Sequence, residues 1–306
     1  MDYFNYNRRQ SSVVQIGNKQ LGGNNPILIQ SMANVSTLDT NACVEQAIRI
    51  IDAGADYVRF TAQGIREAEN LGVIRQELTR RGYTNPLVAD IHFNPKAADA
   101  AAQVVEKVRI NPGNYVDAAR TFKKLEYTDE EYALELQKIR DRFVPFLNIC
   151  KENYTAIRIG VNHGSLSDRI MSRYGDTPEG IVESCMEFLR ICVEENFTAV
   201  VISIKASNTV VMVRTVRLLV ATMEKEGMNF PLHLGVTEAG DGEDGRIKSA
   251  IGIGGLLLDG IGDTIRVSLS EEPEAEIPVA RLLVSYIGER AEAAAIQAVE
   301  STKYSR

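Results

Sequence analysis

Tryptophan is absent and cysteine is scarce in this chain, which has 306 residues and 4 cysteines. The cysteines are Cys43, Cys150, Cys185 and Cys192, and no two of them form a CxxC pair. This spacing is poor for metal ligands, so we expect no metal site in the chain. Small buried thiols are typical of proteins in reducing compartments, and we interpret the four cysteines in that way.

Long apolar runs are also missing. The runs Ala199–Ile204 and Gly254–Leu258 are far shorter than the about 20 residues that a membrane-spanning helix needs. Residues 1–12 are polar and lack the apolar centre of a secretory signal peptide. We therefore expect a cytoplasmic protein without membrane association.

Positive charge is in deficit. Lys and Arg number 34 against 41 Asp and Glu, which gives a formal net charge of −7. A general nucleic-acid-binding protein usually has a basic surface, so nucleic acid is not an expected partner. Hydrophobic residues make up 44% of the chain, and the length suits one (β/α)8 barrel, which typically takes about 250 residues.

Short apolar runs alternate along the chain with amphipathic helical segments. The runs are rich in β-branched and aliphatic residues, which favours strands buried on both faces of a parallel sheet. Eight strand–helix repeats predict an α/β fold of the TIM (β/α)8 barrel type. The predicted strands are Ile27–Met32, Tyr57–Phe60, Leu87–Ile91, Lys107–Ile110, Ala156–Val161, Ala199–Ile204, Leu232–Val236 and Thr264–Leu269.

Helix signals fill the intervals between the strands. The long connection between the fourth and fifth strands predicts a helical insertion at about residues 114–153, which includes Asp129–Asn148. We interpret residues 1–306 as one substrate-binding barrel domain whose last helix is Ile277–Val299. Glycines or a first-turn proline mark the ends of the other predicted helices, which are Thr40–Ala53, Ile65–Arg81, Pro178–Asn196 and Thr209–Glu226.

Polar residues recur at every second position where the predicted strands end. Side chains two positions apart share one face of a strand. Active sites of barrel enzymes lie at the carboxyl ends of the strands, so we expect these side chains to form one site. They are Arg59, Asp90, His92, Arg109, Asn111, Arg158, Asn162, Lys205, Glu238, Arg266 and Ser268.

Basic side chains dominate this set. Arginines and a lysine in one ring repel one another and lose hydration, which is costly without counter-charge. The pattern places only Asp90 and Glu238 beside them, so the remaining positive charge predicts an anionic ligand, with a purely structural ion network as the alternative. The paired donors of several arginines favour a polyphosphate. Glycine-rich stretches at 252–255 and 260–263 are candidate backbone sites for phosphate.

Eight segments of the chain form a more specific pattern. They resemble, in the same order, the motifs of the 4-hydroxy-3-methylbut-2-enyl diphosphate synthase family, and they cover the chain from about Ile27 to Ile277 apart from the insertion. The segments are QSM (30–32), VADIHF (88–93), VRINPGN (108–114), IRIGVNHGSL (157–166), SIKAS (203–207), PLHLGVTEAG (231–240), KSAIGIGGLL (248–257) and GIGDTIRVSL (260–269).

The resemblance implies the reductive ring opening of 2-C-methyl-D-erythritol 2,4-cyclodiphosphate in non-mevalonate isoprenoid biosynthesis. It implies catalytic positions at Glu238, near the reacting carbons, and at Asp90, beside the histidine. The positions that it implies for binding the cyclic diphosphate are Arg59, His92, Arg109, Asn111, Arg158, Asn162, Lys205, Arg266 and Ser268.

The resemblance also implies a [4Fe-4S] cluster, held in that family by three cysteines and a glutamate of a separate domain. The four cysteines of this chain match none of those ligands. The cluster domain, and the additional domain of the plant-like and Bacteroides-like branch, are therefore expected outside this chain, which alone would be inactive. Ferredoxin or flavodoxin is the implied electron donor, and a homodimer is a candidate assembly.

Two other functions remain open at this point. Lys205 lies on the sixth predicted strand, where barrel aldolases keep a Schiff-base lysine, and burial among arginines would lower its pKa and make it nucleophilic. The barrel would then be an aldolase for a phosphorylated substrate. Alternatively, it is an anion-binding docking module without catalysis.

Overall fold

Parallel strands form the centre of the computed structural model, which describes residues 5–117, 126–237, 239–240 and 242–296. Most barrel strands are built from residues that are buried on both faces. The strands are β1 Val14–Ile16, β2 Lys19–Leu21, β3 Leu28–Met32, β4 Tyr57–Ala62, β5 Leu87–Ile91, β6 Lys107–Ile110, β7 Ala156–Asn162, β8 Val200–Lys205, β9 His233–Gly235 and β10 Thr264–Arg266.

The barrel is closed by parallel pairing. Strands β3 to β8 pair in chain order, and β3 also pairs with β10, which pairs with β9. The last seam, between β8 and β9, is held by a bridge between Ile202 and Leu232. The predicted TIM-barrel fold is confirmed. The eighth barrel strand is shorter than predicted because, beyond Arg266, the backbone N–H of Leu269 donates to the Glu276 carboxylate (3.3 Å).

Helices cover the outside of the barrel and begin at the caps that the sequence signals. Asp39 accepts a hydrogen bond from the backbone N–H of Ala42 (3.0 Å) at the start of the first helix. The helices are α1 Thr40–Asp52, α2 Ile65–Arg80, α3 Pro95–Ala102, α4 Pro112–Tyr115, α5 Asp129–Glu152, α6 Asp168–Tyr174, α7 Pro178–Glu194, α8 Thr209–Lys225, α9 Gly242–Ser249, α10 Gly255–Leu258 and α11 Glu276–Glu292.

The long connection between β6 and β7 contains α4 and α5. Helix α5 packs against α3 and α7, so it lies in the outer ring of helices, and a capping box of Thr128 and Glu131 fixes its start. Phe143 of α5 meets Tyr115 of α4 and Phe188 of α7 with ring centroids 6.0 and 5.0 Å apart. Residues 118–125 of this connection lie outside the described residues.

A hairpin formed by β1 and β2 closes the amino end of the barrel. The side chains of Val14, Ile16 and Leu21 are buried there in one apolar cluster with residues from the starts of the barrel strands. That cluster includes Leu28 and Tyr57. This end is therefore closed by apolar groups, and Arg59, Arg109 and Arg158 lie further along their strands, toward the carboxyl end.

Candidate anion-binding site

Cationic side chains of neighbouring strands meet inside the barrel near its carboxyl end. Arg59 of β4, Arg109 of β6 and Arg158 of β7 are 3%, 6% and 0% exposed. Lys205 of β8 is 9% exposed. The strand register places Asp90 opposite Arg109, and Arg109 opposite Arg158. The structure therefore brings together five of the residues that the sequence singles out.

Asp90 is the acidic centre of this cluster. Its Oδ1 accepts a hydrogen bond from Arg109 Nη1 (3.0 Å), and its Oδ2 lies 3.4 Å from Arg59 Nη2 and 3.3 Å from His92 Nε2. Burial raises the pKa of Asp90, but the two arginines and the His92 hydrogen bond outweigh burial and hold this pKa well below its usual range. Asp90 is therefore a carboxylate that orients two guanidinium groups and the His92 ring.

Among the described residues, Arg158 finds no hydrogen-bond acceptor. None of its three guanidinium nitrogens has a hydrogen-bond partner in the described part of the chain, although the side chain is fully buried. Burial lowers the pKa of Arg158 well below its usual range, and the charge of Arg59 lowers it further. Leaving buried donors without acceptors costs about 1–3 kcal/mol per group, and more for a charged one. An anion or water must therefore reach Arg158.

Arg59 and Arg109 also keep free donors. Arg59 Nη1 and Arg109 Nε have no hydrogen-bond partner within the described ranges. Burial lowers the pKa of Arg59 to about 10, and Asp90 partly offsets this effect. Arg109 Nη2 donates to the backbone oxygen of Gly160 (2.7 Å). A side chain at Gly160 would place its Cβ 2.6 Å from Arg109 Nε, so glycine is what lets this guanidinium lie across β7.

Lys205 lies among the same arginines. Burial lowers the pKa of Lys205 well below its usual range, and Arg59 and Arg158 lower it further. A bound anion reverses this effect because it favours the ammonium form. Without an anion, the amine has the nucleophilic character that a Schiff-base aldolase needs.

The ion pair of Arg266 contradicts the expectation that only Asp90 and Glu238 neutralise the cationic side chains. Its Nη2 lies 3.2 Å from Oε1 of Glu276, which is 2% exposed and also accepts a hydrogen bond from Ser31 Oγ (2.8 Å). Glu276 begins α11, beyond the last strand, so the strand-end pattern did not point to it. Arg266 is therefore held by its own carboxylate and needs a ligand less than Arg158 does.

Asn111 and Asn162 have local structural roles. Each side-chain oxygen caps the helical turn that follows its strand, by accepting from the backbone N–H of Gly113 (3.3 Å) or Gly164 (3.3 Å). Asn111 Nδ2 also donates to Ser165 Oγ (2.7 Å), which ties together the ends of β6 and β7. These contacts fix both amides at the rim of the cluster.

Two of the remaining predicted site residues, His92 and Ser268, lie at the barrel mouth. The side chain of His92 is 37% exposed and accessible from this mouth. Ser268 is half-buried, two positions beyond Arg266 and past the end of β10. Glu238 lies outside the described residues, so its role remains a prediction.

One of the two expected phosphate cradles, the glycine stretch at 260–263, lies at the wrong end of the barrel, and the stretch at 252–255 remains a prediction. A Cβ on Gly252 would lie 2.5 Å from Val236 and 2.9 Å from Met212, so this glycine allows close packing. Residues 260–263 precede β10 and therefore lie at the amino end of the barrel. There Gly262 has φ +127°, and a Cβ on it would lie 2.6 Å from a methyl carbon of Leu234.

The sequence analysis missed a polar layer inside the barrel. Lys107 is fully buried, its Nζ lies 4.2 Å from the ring centroid of Tyr57, and it has no hydrogen-bond partner within the described residues. Both ring nitrogens of His233 and both side-chain polar atoms of Gln30 likewise lack partners there. Burial lowers the pKa of Lys107 well below its usual range, with Arg158 as the next cause. The spacing of two between Lys107 and Arg109 was a signal for this layer.

The four cysteines are buried free thiols. Burial raises the pKa of Cys43 to about 12 and raises that of the other three as well. Across the described ranges, no group of three or more His, Cys, Asp or Glu side chains is arranged to hold a metal ion. In the same ranges, no helix has the length and apolar character needed to cross a membrane.

Comparison with known proteins supports the resemblance. Residues 11–281 match the GcpE TIM-barrel domain family. A protein of Parabacteroides distasonis named 4-hydroxy-3-methylbut-2-en-1-yl diphosphate synthase (flavodoxin) is 80% identical over 290 residues, which is 95% of this chain and 48% of that protein. A protein of the same name from Porphyromonas gingivalis is 61% identical over 306 residues, 100% of this chain and 52% of that protein. The chain thus spans about half the length of the curated relatives it matches.

Solved structures of lower similarity share the fold. A sialic acid synthetase from Leptospira borgpetersenii has a TM-score of 0.55 at 13% identity, covering 94% of this chain and 91% of its own. A dihydropteroate synthase from Yersinia pestis has a TM-score of 0.56 at 11% identity, covering 91% of this chain and 100% of its own. At such identities the likeness concerns the barrel architecture alone.

Proposed function

This chain belongs to the GcpE TIM-barrel domain family, and we propose that it supplies the substrate-holding barrel of a 4-hydroxy-3-methylbut-2-enyl diphosphate synthase. The substrate would be 2-C-methyl-D-erythritol 2,4-cyclodiphosphate. Reductive opening of its ring consumes two electrons and two protons and releases water. The names of the relatives at 80% and 61% identity support this reaction rather than the aldolase alternative at Lys205.

The observation that carries the proposal is the unpartnered guanidinium of Arg158. A cyclic diphosphate brings several oxygen acceptors and negative charge to donors that the protein leaves free. Arg59 Nη1 and Arg109 Nε are further free donors of the same cluster. Binding would thus replace unsatisfied donors by charge-assisted hydrogen bonds, and the same cations would stabilise the diphosphate as it leaves the ring carbon.

The acidic residues would have separate tasks. Asp90 contacts Arg59, Arg109 and His92, so it would orient the donors that touch the ligand. The low pKa of Asp90 keeps it ionised, which suits electrostatic orientation better than proton donation. Glu238 is proposed, from the family resemblance, to act near the reacting carbons.

The [4Fe-4S] cluster that this chemistry requires would not be held by this chain. The described residues do not fit such a cluster, because the four thiols are buried and have raised pKa values while cluster ligands are thiolates. We therefore propose that the cluster belongs to the part of the relatives that this chain does not span. It supplies the electrons when bound there.

The electron donor and the compartment follow from the same comparison. The names of the relatives specify flavodoxin, so flavodoxin is the donor that we propose, ahead of ferredoxin. The free cysteines favour a reducing compartment, for which we propose the cytoplasm. A homodimer remains a prediction.

Calorimetric titration of the chain with the cyclodiphosphate tests this function. We expect binding without turnover, even when a chemical reductant is added. Arg59→Met should weaken binding at least about tenfold, since it removes a charge-assisted donor worth about 1.5–3 kcal/mol. Arg80→Met is the matched control, because the Arg80 side chain is 72% exposed on α2 and pairs only locally with Glu77.

Three outcomes would contradict the proposal. The first is that the wild-type chain does not bind the cyclodiphosphate. The second is turnover by this chain alone. The third is an adduct at Lys205 that borohydride traps with a carbonyl substrate, which would instead support the aldolase.

A further inference from the structure

Phe93 is an exposed aromatic residue at the barrel mouth. It lies two residues beyond the end of β5 and is 66% exposed. Its neighbour His92, which contacts Asp90 within the cationic cluster, has its ring centroid 6.2 Å from that of Phe93. Both residues line a cavity of about 460 Å³ together with Gln63, at the end of β4, and Asn94. The ring of Phe93 therefore lies beside the site rather than on a remote surface.

The backbone of Phe93 is strained. Its φ is +57°, in the left-handed region, which is a genuine outlier for a bulky side chain. Such conformations are unfavourable and persist where the surrounding structure imposes them, often at ligand sites. Glycine or asparagine would adopt this conformation more easily.

Two other non-glycine residues have a positive φ that the fold itself explains. Tyr154 and Asn196 have φ +54° and +53°. Each directly follows the last cap residue of a long helix, Asn153 after α5 and Glu195 after α7. Left-handed residues are a common way to end a helix. Phe93 instead precedes a helix, so helix termination does not explain its conformation.

Packing at the start of α3 does not explain Phe93 either. An apolar residue before an N-cap can pack against the fourth residue of the helix as a hydrophobic staple. Asn94 is the N-cap of α3, and its side chain accepts from the backbone N–H of Lys96 (3.1 Å). A ring that is 66% exposed is not buried in such a staple. Neither helix termination nor packing at the start of α3 therefore explains why Phe93 combines a strained backbone with an exposed apolar ring.

We propose that Phe93 is a ligand-contacting specificity residue, whose ring covers the branched five-carbon part of the cyclodiphosphate while the cationic cluster holds its phosphates. The inference rests on the proposed function and deepens it. The cluster offers donors for oxygen, and the methyl and ring carbons need apolar surface, of which Met32 provides part beside Arg59 and Arg266. Phe93 supplies that surface at the open side of the cluster, so it would separate this ligand from diphosphates that lack the carbon part.

Two probes and one substitution test the assignment. Phe93→Asn removes the ring and suits the left-handed backbone, and it is titrated calorimetrically with the cyclodiphosphate and with inorganic diphosphate. We expect about tenfold weaker binding of the cyclodiphosphate, because its carbon part then loses the apolar cover of the ring. Binding of inorganic diphosphate should change less than about twofold, and the melting temperature should stay equal or rise because strain is relieved.

Tyr154→Asn is the matched control. Tyr154 is likewise an exposed aromatic residue, 91% exposed, with positive φ, and it follows α5 just before the start of β7 at the opposite end of the barrel. The same substitution there should leave the affinity for both probes unchanged. A readout of melting temperature in both variants separates relief of strain from damage to the fold.

The outcomes distinguish this assignment from the proposed function. If the wild-type chain binds inorganic diphosphate but not the cyclodiphosphate, both the proposed function and the role of Phe93 are wrong. If the wild-type chain binds the cyclodiphosphate and Phe93→Asn binds it equally well, the assignment of Phe93 alone is wrong. Equal weakening of both probes, or a lowered melting temperature, would show a structural role for Phe93 and overturn the assignment.

Discussion

Arg158 and Arg169 are both buried arginines, but they lie in two regions with opposite chemistry. Arg169 of α6 donates hydrogen bonds to both carboxylate oxygens of Glu187 (2.6 and 2.8 Å) and lies 3.2 Å from Asp117, in the outer helical layer. Arg158 lies inside the barrel, and none of its nitrogens has an acceptor within the described residues. The outer layer thus supplies a carboxylate to its buried arginine, whereas the described part of the barrel interior supplies none to Arg158.

The pKa values of Arg169 and Arg158 are shifted in opposite directions for the same reason. Burial lowers the pKa of Arg169, but Glu187 and Asp117 outweigh burial and raise this pKa above its usual range. For Arg158, burial and the neighbouring Arg59 both lower the pKa. A buried charge with a structural role brings its partner from the same chain. A buried charge that is left unpaired indicates a partner from outside, which is the basis for assigning the barrel interior to a ligand.

The largest expected effect is on stability in the outer layer. Arg169→Leu leaves Glu187 buried without its cation, so the free energy of unfolding should fall by about 3–5 kcal/mol. Urea unfolding followed by circular dichroism measures this change. Adding Glu187→Leu to the same chain should restore most of the loss, because the uncompensated charge is then gone. A loss below about 1 kcal/mol would remove the contrast between the two regions.

The corresponding substitution inside the barrel should have the opposite pattern. Arg158→Leu removes a buried charge that has no partner, so the free energy of unfolding should stay equal or rise. Affinity for the cyclodiphosphate should fall about 100-fold, which corresponds to about 2.7 kcal/mol of lost charge-assisted hydrogen bonding. Unfolding and calorimetric titration of the same variant measure both quantities. Strong destabilisation with unchanged affinity would mean that Arg158 is structural, as Arg169 is.

The smallest expected effect is a pH dependence of the free energy of unfolding, caused by the buried Lys205 of the barrel interior. Burial and neighbouring arginines hold the pKa of Lys205 well below that of the unfolded chain, which is about 10.4. Between these two values the unfolded state binds more protons, so stability should rise with pH toward about pH 10. Lys205→Met removes this contribution and should flatten the rise.

Urea midpoints measured at several values between about pH 7 and pH 10 test this dependence. Lys138→Met serves as the control, since Lys138 is exposed on α5 and its hydrogen bond to Glu135 raises its pKa. A group with a raised pKa loses its stabilising contribution as pH increases. The control should therefore not flatten the rise of stability with pH. If wild type and Lys205→Met have the same pH dependence of the urea midpoint, the pKa of Lys205 is not lowered by burial and the neighbouring arginines.

Much of the barrel could be predicted from the sequence because its signals are local. A strand such as Leu87–Ile91 is a continuous apolar run with a polar side chain near its end, and it was predicted with its observed bounds. The alternation of side chains along a strand likewise predicted that Arg109 and Arg158 face the interior. Even the last strand was placed at the correct start, Thr264, although its end was predicted three residues too late.

Partners that come from distant parts of the chain were not predictable in this way. Glu276 approaches Arg266 and Ser31 only after α11 folds back against β3 and β10. Residues 260–263 were expected before the last strand and lie there, at the amino end of the barrel and away from the cationic cluster. The strained backbone of Phe93 has no sequence signature, because aromatic residues rarely adopt it.

The sequence by itself determined a parallel barrel with basic residues at its carboxyl end, because strand periodicity depends only on neighbouring positions. The tertiary structure decided which of those cations are neutralised by the protein. Arg266 received a carboxylate from α11, Arg59 and Arg109 share Asp90, and Arg158 received none from the described residues. Ion pairs depend on distances in space, and these distances are not visible in the order of residues along the chain. Only the folded barrel therefore distinguishes a structural ion pair from a cation that is free to bind an anion.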